Sequence, residues 1–235
     1  MKKAFTMLEL IFVIVIVGIL SFVAASSFQG NTLREAADQL VSHIRYTQHL
    51  AMMDDKFDPN DNDWYKERWQ IRFSNTGGSD YQWSYTIYAE SAIGGPDGVP
   101  NKSEMAINPL DSTKLLTGGY SVGTVAYNDA AASKKLNLGH SYGVQDIYID
   151  PTSGCYVNAG TGNRSISFDM LGRPLYNHAN ALTAMYYENA NIRLVQTQCR
   201  IQICLTNPCT TATNENKITI AIEPETGYTH IRSNP

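Results

Sequence analysis

Positive charge is scarce in this sequence. Its 235 residues carry 18 Lys and Arg against 22 Asp and Glu, a formal net charge of −4. A broad cationic footprint of the kind that holds a nucleic-acid backbone is therefore absent. Catalytic signatures are lacking as well. There is no HExxH, no GxSxG turn and no phosphate-binding glycine loop, and the five histidines (His43, His49, His140, His178, His230) are scattered. His43 and His49 stand six residues apart, a spacing that does not share a helix face. A non-enzymatic protein is the expectation. Cysteine is missing from the first 154 residues, and charged residues make up only 17% of the chain. With 10% aromatics and fourteen tyrosines, the composition is that of a folded domain rather than a disordered one.

Cys155, Cys199, Cys204 and Cys209 all lie in the last third of the chain. Their even number suits a disulfide-forming compartment. Three pairings are possible. The Asn207-Pro208 turn favours closing Cys204 on Cys209, which leaves Cys155 to staple one strand to another through Cys199. A four-thiolate zinc site is disfavoured, because the C-x4-C-x4-C spacing lacks the C-x2-C knuckle.

Against this sparsely charged background the N-terminus stands out. From Phe5 to Ala25 the chain is almost unbroken apolar sequence, preceded by Lys2 and Lys3 and interrupted by one acid, Glu9. Such a run is about long enough to cross ~30 Å of hydrocarbon as a helix. The lysines would hold its start on the cytoplasmic side. A cleaved secretory signal, ending near Ala24-Ala25-Ser26-Ser27, is the competing reading. Neither accounts for Glu9. A carboxylate inside a lone membrane helix costs on the order of 2.5 kcal/mol or more and is kept for a partner, yet no Lys or Arg stands within four residues of it in sequence.

Lys2-Lys3-Ala4 followed by Phe5-Thr6-Met7-Leu8-Glu9-Leu10 and an aliphatic run resembles the class III signal of type IV pilins and type II secretion pseudopilins. The resemblance implies cleavage between Ala4 and Phe5 by a prepilin peptidase and N-methylation of Phe5. It also implies that Glu9 pairs with the new N-terminal amine of a neighbouring subunit during filament assembly. The family usually has Gly before the cut, where this chain has Ala4. The expected organisation is a leader at 1–4, a transmembrane and assembly half-helix at 5–30, an amphipathic half-helix at 31–55 and an extracytoplasmic β-rich domain at 56–235. The expected fold is thus α+β and pilin-like, a long N-terminal helix on an antiparallel sheet. The implied partners are other pilin or pseudopilin subunits and the peptidase. The implied location is the bacterial inner membrane, single-pass, with the C-terminal domain in the periplasm.

Beyond residue 31 the apolar period becomes helical, placing Leu33, Ala37, Leu40, Ile44 and Ala51 on one stripe. Gly18 and the stretch 26–30 are candidate bends. Residues 54–67, DDKFDPNDNDWYKE, form an acidic connector. Asp58, Asn60 and Asn62 have the alternation of a calcium loop, but no Gly fills the sixth place and Trp69 stands at the twelfth, so calcium is a weak expectation beside a solvated loop. The glycines and prolines of 94–104 mark turns in the same way. Strands are predicted at 69–73, 81–88, 144–149, 165–168, 192–205 and 217–222 from alternation and β-branched content. The tyrosines of 81–88 are expected to face water from a half-buried sheet rather than to form a stacking platform. Two strand-to-glycine turns, 166–174 and 217–228, resemble the late strands of H-type minor pseudopilins and FimT-like minor pilins. In FimT-like proteins a basic tail follows the last Gly; here Gly227-Tyr-Thr-His-Ile-Arg232 carries one firm positive charge, so nucleic acid is not an expected partner. A minor pseudopilin is the first functional expectation, a type IV minor pilin the second and a membrane-anchored enzyme a distant third.

Overall fold

The structure, a computed structural model, describes residues 7–91, 97–121, 123–155, 164–176 and 194–232, with side chains throughout except at 22–31. Helix α1 (Met7–Met53, 47 residues) runs through Gly18 and 26–30 without interruption. Its C-terminal part lies across two antiparallel sheets. The first has the order β2-β1-β6-β7, from β1 (Trp69–Ser74), β2 (Ser84–Ala89), β6 (Arg164–Phe168) and β7 (Pro174–Tyr176). The second has the order β10-β9-β8-β5, from β5 (Asp146–Ile149), β8 (Cys199–Cys204), β9 (Lys217–Ile222) and β10 (Thr229–Arg232). A small hairpin, β3 (Ile107–Asn108) with β4 (Asp111–Leu115), and a short helix, α2 (Leu138–Tyr142), complete the described elements.

The expected helix with a membrane-spanning first half is corrected by this structure. Among the described residues no helix is long and apolar enough to cross a membrane. The single-pass inner-membrane location with a periplasmic domain is corrected on the same finding. What the structure shows is a mixed α and β chain with antiparallel sheets.

The helical stripe is buried as its spacing predicts, with Leu33, Ala37, Leu40, Ile44 and Ala51 joined by Ala36 and Val41. The small residues at 36 and 37 let the helix approach the sheets closely. Every second residue of the facing strands meets it: Ile71 and Phe73, Ile166 and Phe168, Ile201 and Ile203, Ile220 and Ile222 are all buried. Strand β2 departs from the expected half-burial, because both of its faces are covered. Tyr85 points to the helix side, while Tyr88 packs with Met105, Tyr120, Val125 and Ala132. Residues between 105 and 132 supply this back layer, so Tyr88 as well as the helix-facing Tyr85 is fully buried, and of the tyrosines of 81–88 only Tyr81 faces water.

Polar side chains fix how the helix sits. Gln48 donates from Nε2 to the Gly172 carbonyl (2.7 Å) and to the Thr226 carbonyl (2.8 Å), holding one turn from each sheet. These are the two glycine turns singled out in sequence. Gly227 (φ +66°) must remain Gly, since a Cβ there would lie 2.5 Å from both the Gly172 oxygen and Gln48 Nε2. Replacing Gln48 with Ala removes both donors from one amide and should cost about 1–2 kcal/mol, read as a lowered urea midpoint with unchanged slope. One turn earlier, Arg45 donates twice to the Thr229 carbonyl (2.9 and 2.6 Å) and lies over the Tyr228 ring.

Candidate assembly surface

The N-terminal part of α1 has no core to pack on. From Met7 to Leu20 every large apolar side chain is at least half exposed, from Val13 at 50% to Met7 at 81%. Leu10 to Val17 are consecutive apolar residues, so more than two full turns are apolar on all sides. A monomer rarely shows water a continuous apolar surface of this extent unless it is an interaction site. Each such side chain is worth about 1.5 kcal/mol or more when buried. Among the described side chains the stripe that docks on the sheets starts at Leu33.

Glu9 lies in the first described turn of this segment and is exposed. Ala4 and Phe5, the expected processing pair, lie outside the described residues. At the far end of the chain, Cys155 is bonded to Cys199 and Cys204 to Cys209, and no described cysteine is free. The first bond ties the turn after β5 to the start of β8. The second closes the short loop that carries Asn207-Pro208, and Cys209 N–H donates to the buried Asp146 carboxylate (3.0 Å).

The acidic connector turns its oxygens inward on itself. Asp55, Asp58 and Asp61 each accept from the backbone N–H two residues on, at 3.0, 2.8 and 2.7 Å. Trp64 and Tyr65 are buried and anchor its end. Among the described residues no group of three or more His, Cys, Asp or Glu is placed to hold a metal ion. Part of the second turn-rich stretch, 94–96, lies outside the described residues.

The histidines are in separate places. His43 meets Tyr85 (Nδ1 to Oη, 2.6 Å), His140 meets Asp80 (3.1 Å) and His230 meets Glu223 (2.9 Å), while His49 is exposed on α1. His178 lies outside the described residues. Around His43 a relay of neutral groups runs from the Tyr142 hydroxyl to Gln39 Oε1 (2.8 Å), and from Gln39 Nε2 to the Tyr85 hydroxyl oxygen (2.8 Å). Tyr85 accepts there, which leaves its own proton for His43 Nδ1 when that nitrogen carries none. Burial agrees, holding the His43 pKa down at about 4.

Among the buried acids that sequence reasoning did not single out is Glu90. Glu90, 1% exposed at the end of β2, accepts from the Asp97 backbone N–H (3.1 Å) and Gln70 Nε2 (3.4 Å). Beside it Glu104 accepts from the N–H groups of Ser91 (3.2 Å) and Asn101 (2.9 Å). Together they pin the described part of the turn to the strand. Burial, helped by the neighbouring Glu104 and Asp97 charges, raises the Glu90 pKa to about 7. A glutamate after an alternating strand reads as a solvent-facing strand end, and only the unpredicted back layer makes it buried.

With protein-family models, curated protein sequences and solved structures alike, comparison finds no match to this chain.

Proposed function

We propose that this chain is a structural subunit of a pilus-like filament, of the minor-pseudopilin kind that serves type II protein secretion. The observation that carries the reading is the exposed apolar segment from Met7 to Leu20, continuous with a helix whose described side chains dock on the sheets from Leu33 onward. Such a segment is covered economically by identical segments of neighbouring copies, side by side in a filament core. Prepilin peptidase would cut between Ala4 and Phe5 and methylate the Phe5 amine. Glu9, on the first turns of the mature helix, would then accept a charge-assisted hydrogen bond from the ammonium of an adjacent copy. The β domain keeps the helix in register and faces outward, with no catalytic role.

The test is intact-mass analysis of protein from cells with and without prepilin peptidase. A chain starting at N-methylated Phe5 only when the peptidase is present supports the proposal; one that begins at Met1 in both, or is cut near Ala25, removes it. A second expectation concerns Glu9→Gln. The substitution keeps the shape and removes the charge, forfeiting about 1.5–3 kcal/mol per subunit contact. Because the contact repeats at every subunit, sedimentable filaments should fall at least tenfold while the folded domain is unchanged.

A further inference from the structure

The chain's charge imbalance is concentrated in one place. Residues 54–67 hold six acids and two lysines, so the remainder of the chain is balanced. This connector follows Met53 at the C-terminal end of α1, and it is fixed there by the buried Trp64 and Tyr65 and by Trp69 Nε1 donating to Asp54 (2.8 Å). Asp55 and Asp58 are exposed and form no ion pair among the described residues.

The opposite charge gathers on the outer face of the second sheet. There Arg200, Gln202, Lys217, Thr219 and Arg232 line a groove of about 290 Å³ with Asp150 and Asn214. Arg200 is taken up by Asp150 (2.7 Å). Lys217 has no carboxylate partner among the described residues, and Arg232 donates to the neutral Gln198 amide at 3.5 Å, with the Glu223 carboxylate near enough to feel its charge. Strand β10 runs antiparallel to α1, from Thr226 and Thr229 beside Gln48 and Arg45 to Ile231 in a cleft with Arg34 and Asp38. Thr219 pairs with Arg232, and Lys217 lies two residues further in that direction. The cations therefore sit toward the N-terminal side of the domain and the acidic connector at its far end. Between Asp38 and its end at Met53 the helix rises roughly 22 Å, so the two surfaces of one chain do not meet.

We infer that the groove of Arg200, Lys217 and Arg232 receives the acidic connector of a second copy, joining subunits head to tail. Two different patches on one chain make a heterologous contact, which generates an open array rather than a closed dimer. The inference rests on the filament reading and names the contact that would set the spacing of the β domains. Charge complementarity would steer and register the contact, and the apolar helices would supply most of the affinity.

Charge reversal in the full chain tests it. Lys217→Glu with Arg232→Glu, and separately Asp55→Lys with Asp58→Lys, should each lower sedimentable filament on the order of tenfold. Each variant keeps one face of the original sign, so mixing the two defective proteins, or combining all four substitutions in one chain, should restore assembly to near the unmodified level. The neutral pair Lys217→Gln and Arg232→Gln, with a smaller loss, guards against misfolding of the reversed forms. Unchanged filament yield in both reversed pairs, with wild type assembling and Glu9→Gln not, overturns the head-to-tail contact alone. Failure of wild type to assemble at all overturns it together with the filament reading. Salt-sensitive binding of single-stranded DNA that is lost on groove reversal, with no rescue on mixing, would overturn it in favour of a polyanion site.

Discussion

Replacing Cys155 and Cys199 together with Ala should lower the unfolding free energy by about 4 kcal/mol, the loop-closure entropy released when residues 44 apart in sequence are no longer tethered. The same change at Cys204 and Cys209, five residues apart, should cost about 2 kcal/mol by the same reasoning. The order matters more than either number. Both Cys155 and Cys199 are buried, at 2% and 0% exposure, and removing their sulfurs also takes atoms from the core. Cys199 opens the strand at the centre of the second sheet, whose Ile201 and Ile203 pack under α1. Urea unfolding of the two double variants should therefore show the wider bridge giving the larger fall in midpoint. Equal effects, or a larger one at the short loop, would mean that the 155–199 tether does little to restrict the unfolded chain.

What could be read from the sequence follows from which signals were local. The stripe from Leu33 to Ala51 was legible because one helix face has one period, and the strands 69–74, 164–168 and 217–222 because large apolar residues alternate with small or polar ones along each, even though both faces are largely buried. Strand β10 was missed. Thr229-His-Ile-Arg232 has one large apolar residue, and it becomes a strand only because β9 offers it a backbone edge. The full burial of Tyr88 and Glu90 was also invisible, since the covering residues Met105, Tyr120, Val125 and Ala132 are far away in sequence and lie in a stretch without period. Gln48 shows the same limit in another form. A glutamine on the flank of an amphipathic helix carries no mark that two glycine turns, 124 and 178 residues away, will present their carbonyls to it. The length of apolar sequence likewise misled: Phe5 to Ala25 is long enough on paper, yet no described helix is long and apolar enough to cross a membrane.

Glu90 and His43 oppose one another in their effect on stability. Glu90 is raised from 4.5 to about 7, so its contribution is fully present below about pH 4.5 and is lost as pH rises through 7. His43 is lowered from 6.5 to about 4, so its contribution is present above pH 6.5 and is lost as pH falls through 4. Each shift corresponds to about 3 kcal/mol at full titration. Between about pH 4.5 and 6.5 the slopes have opposite sign, and wild-type stability should be flatter than that of either single variant. Glu90→Gln keeps the amide-sized side chain in place of a neutral carboxyl. Relative to wild type it should gain up to about 3 kcal/mol as pH is raised from 4.5 to 8. His43→Gln should gain relative to wild type in the other direction, as pH falls from 6.5 to 4, because it has no imidazole to protonate against the Tyr85 hydroxyl. Urea midpoints of the three proteins across this range decide the matter, since every other ionisable group is common to them and cancels in the difference. If Glu90→Gln runs parallel to wild type throughout, Glu90 is already ionised in the fold and the turn from Asp97 to Glu104 is held by a carboxylate rather than by a carboxylic acid that titrates near neutral pH.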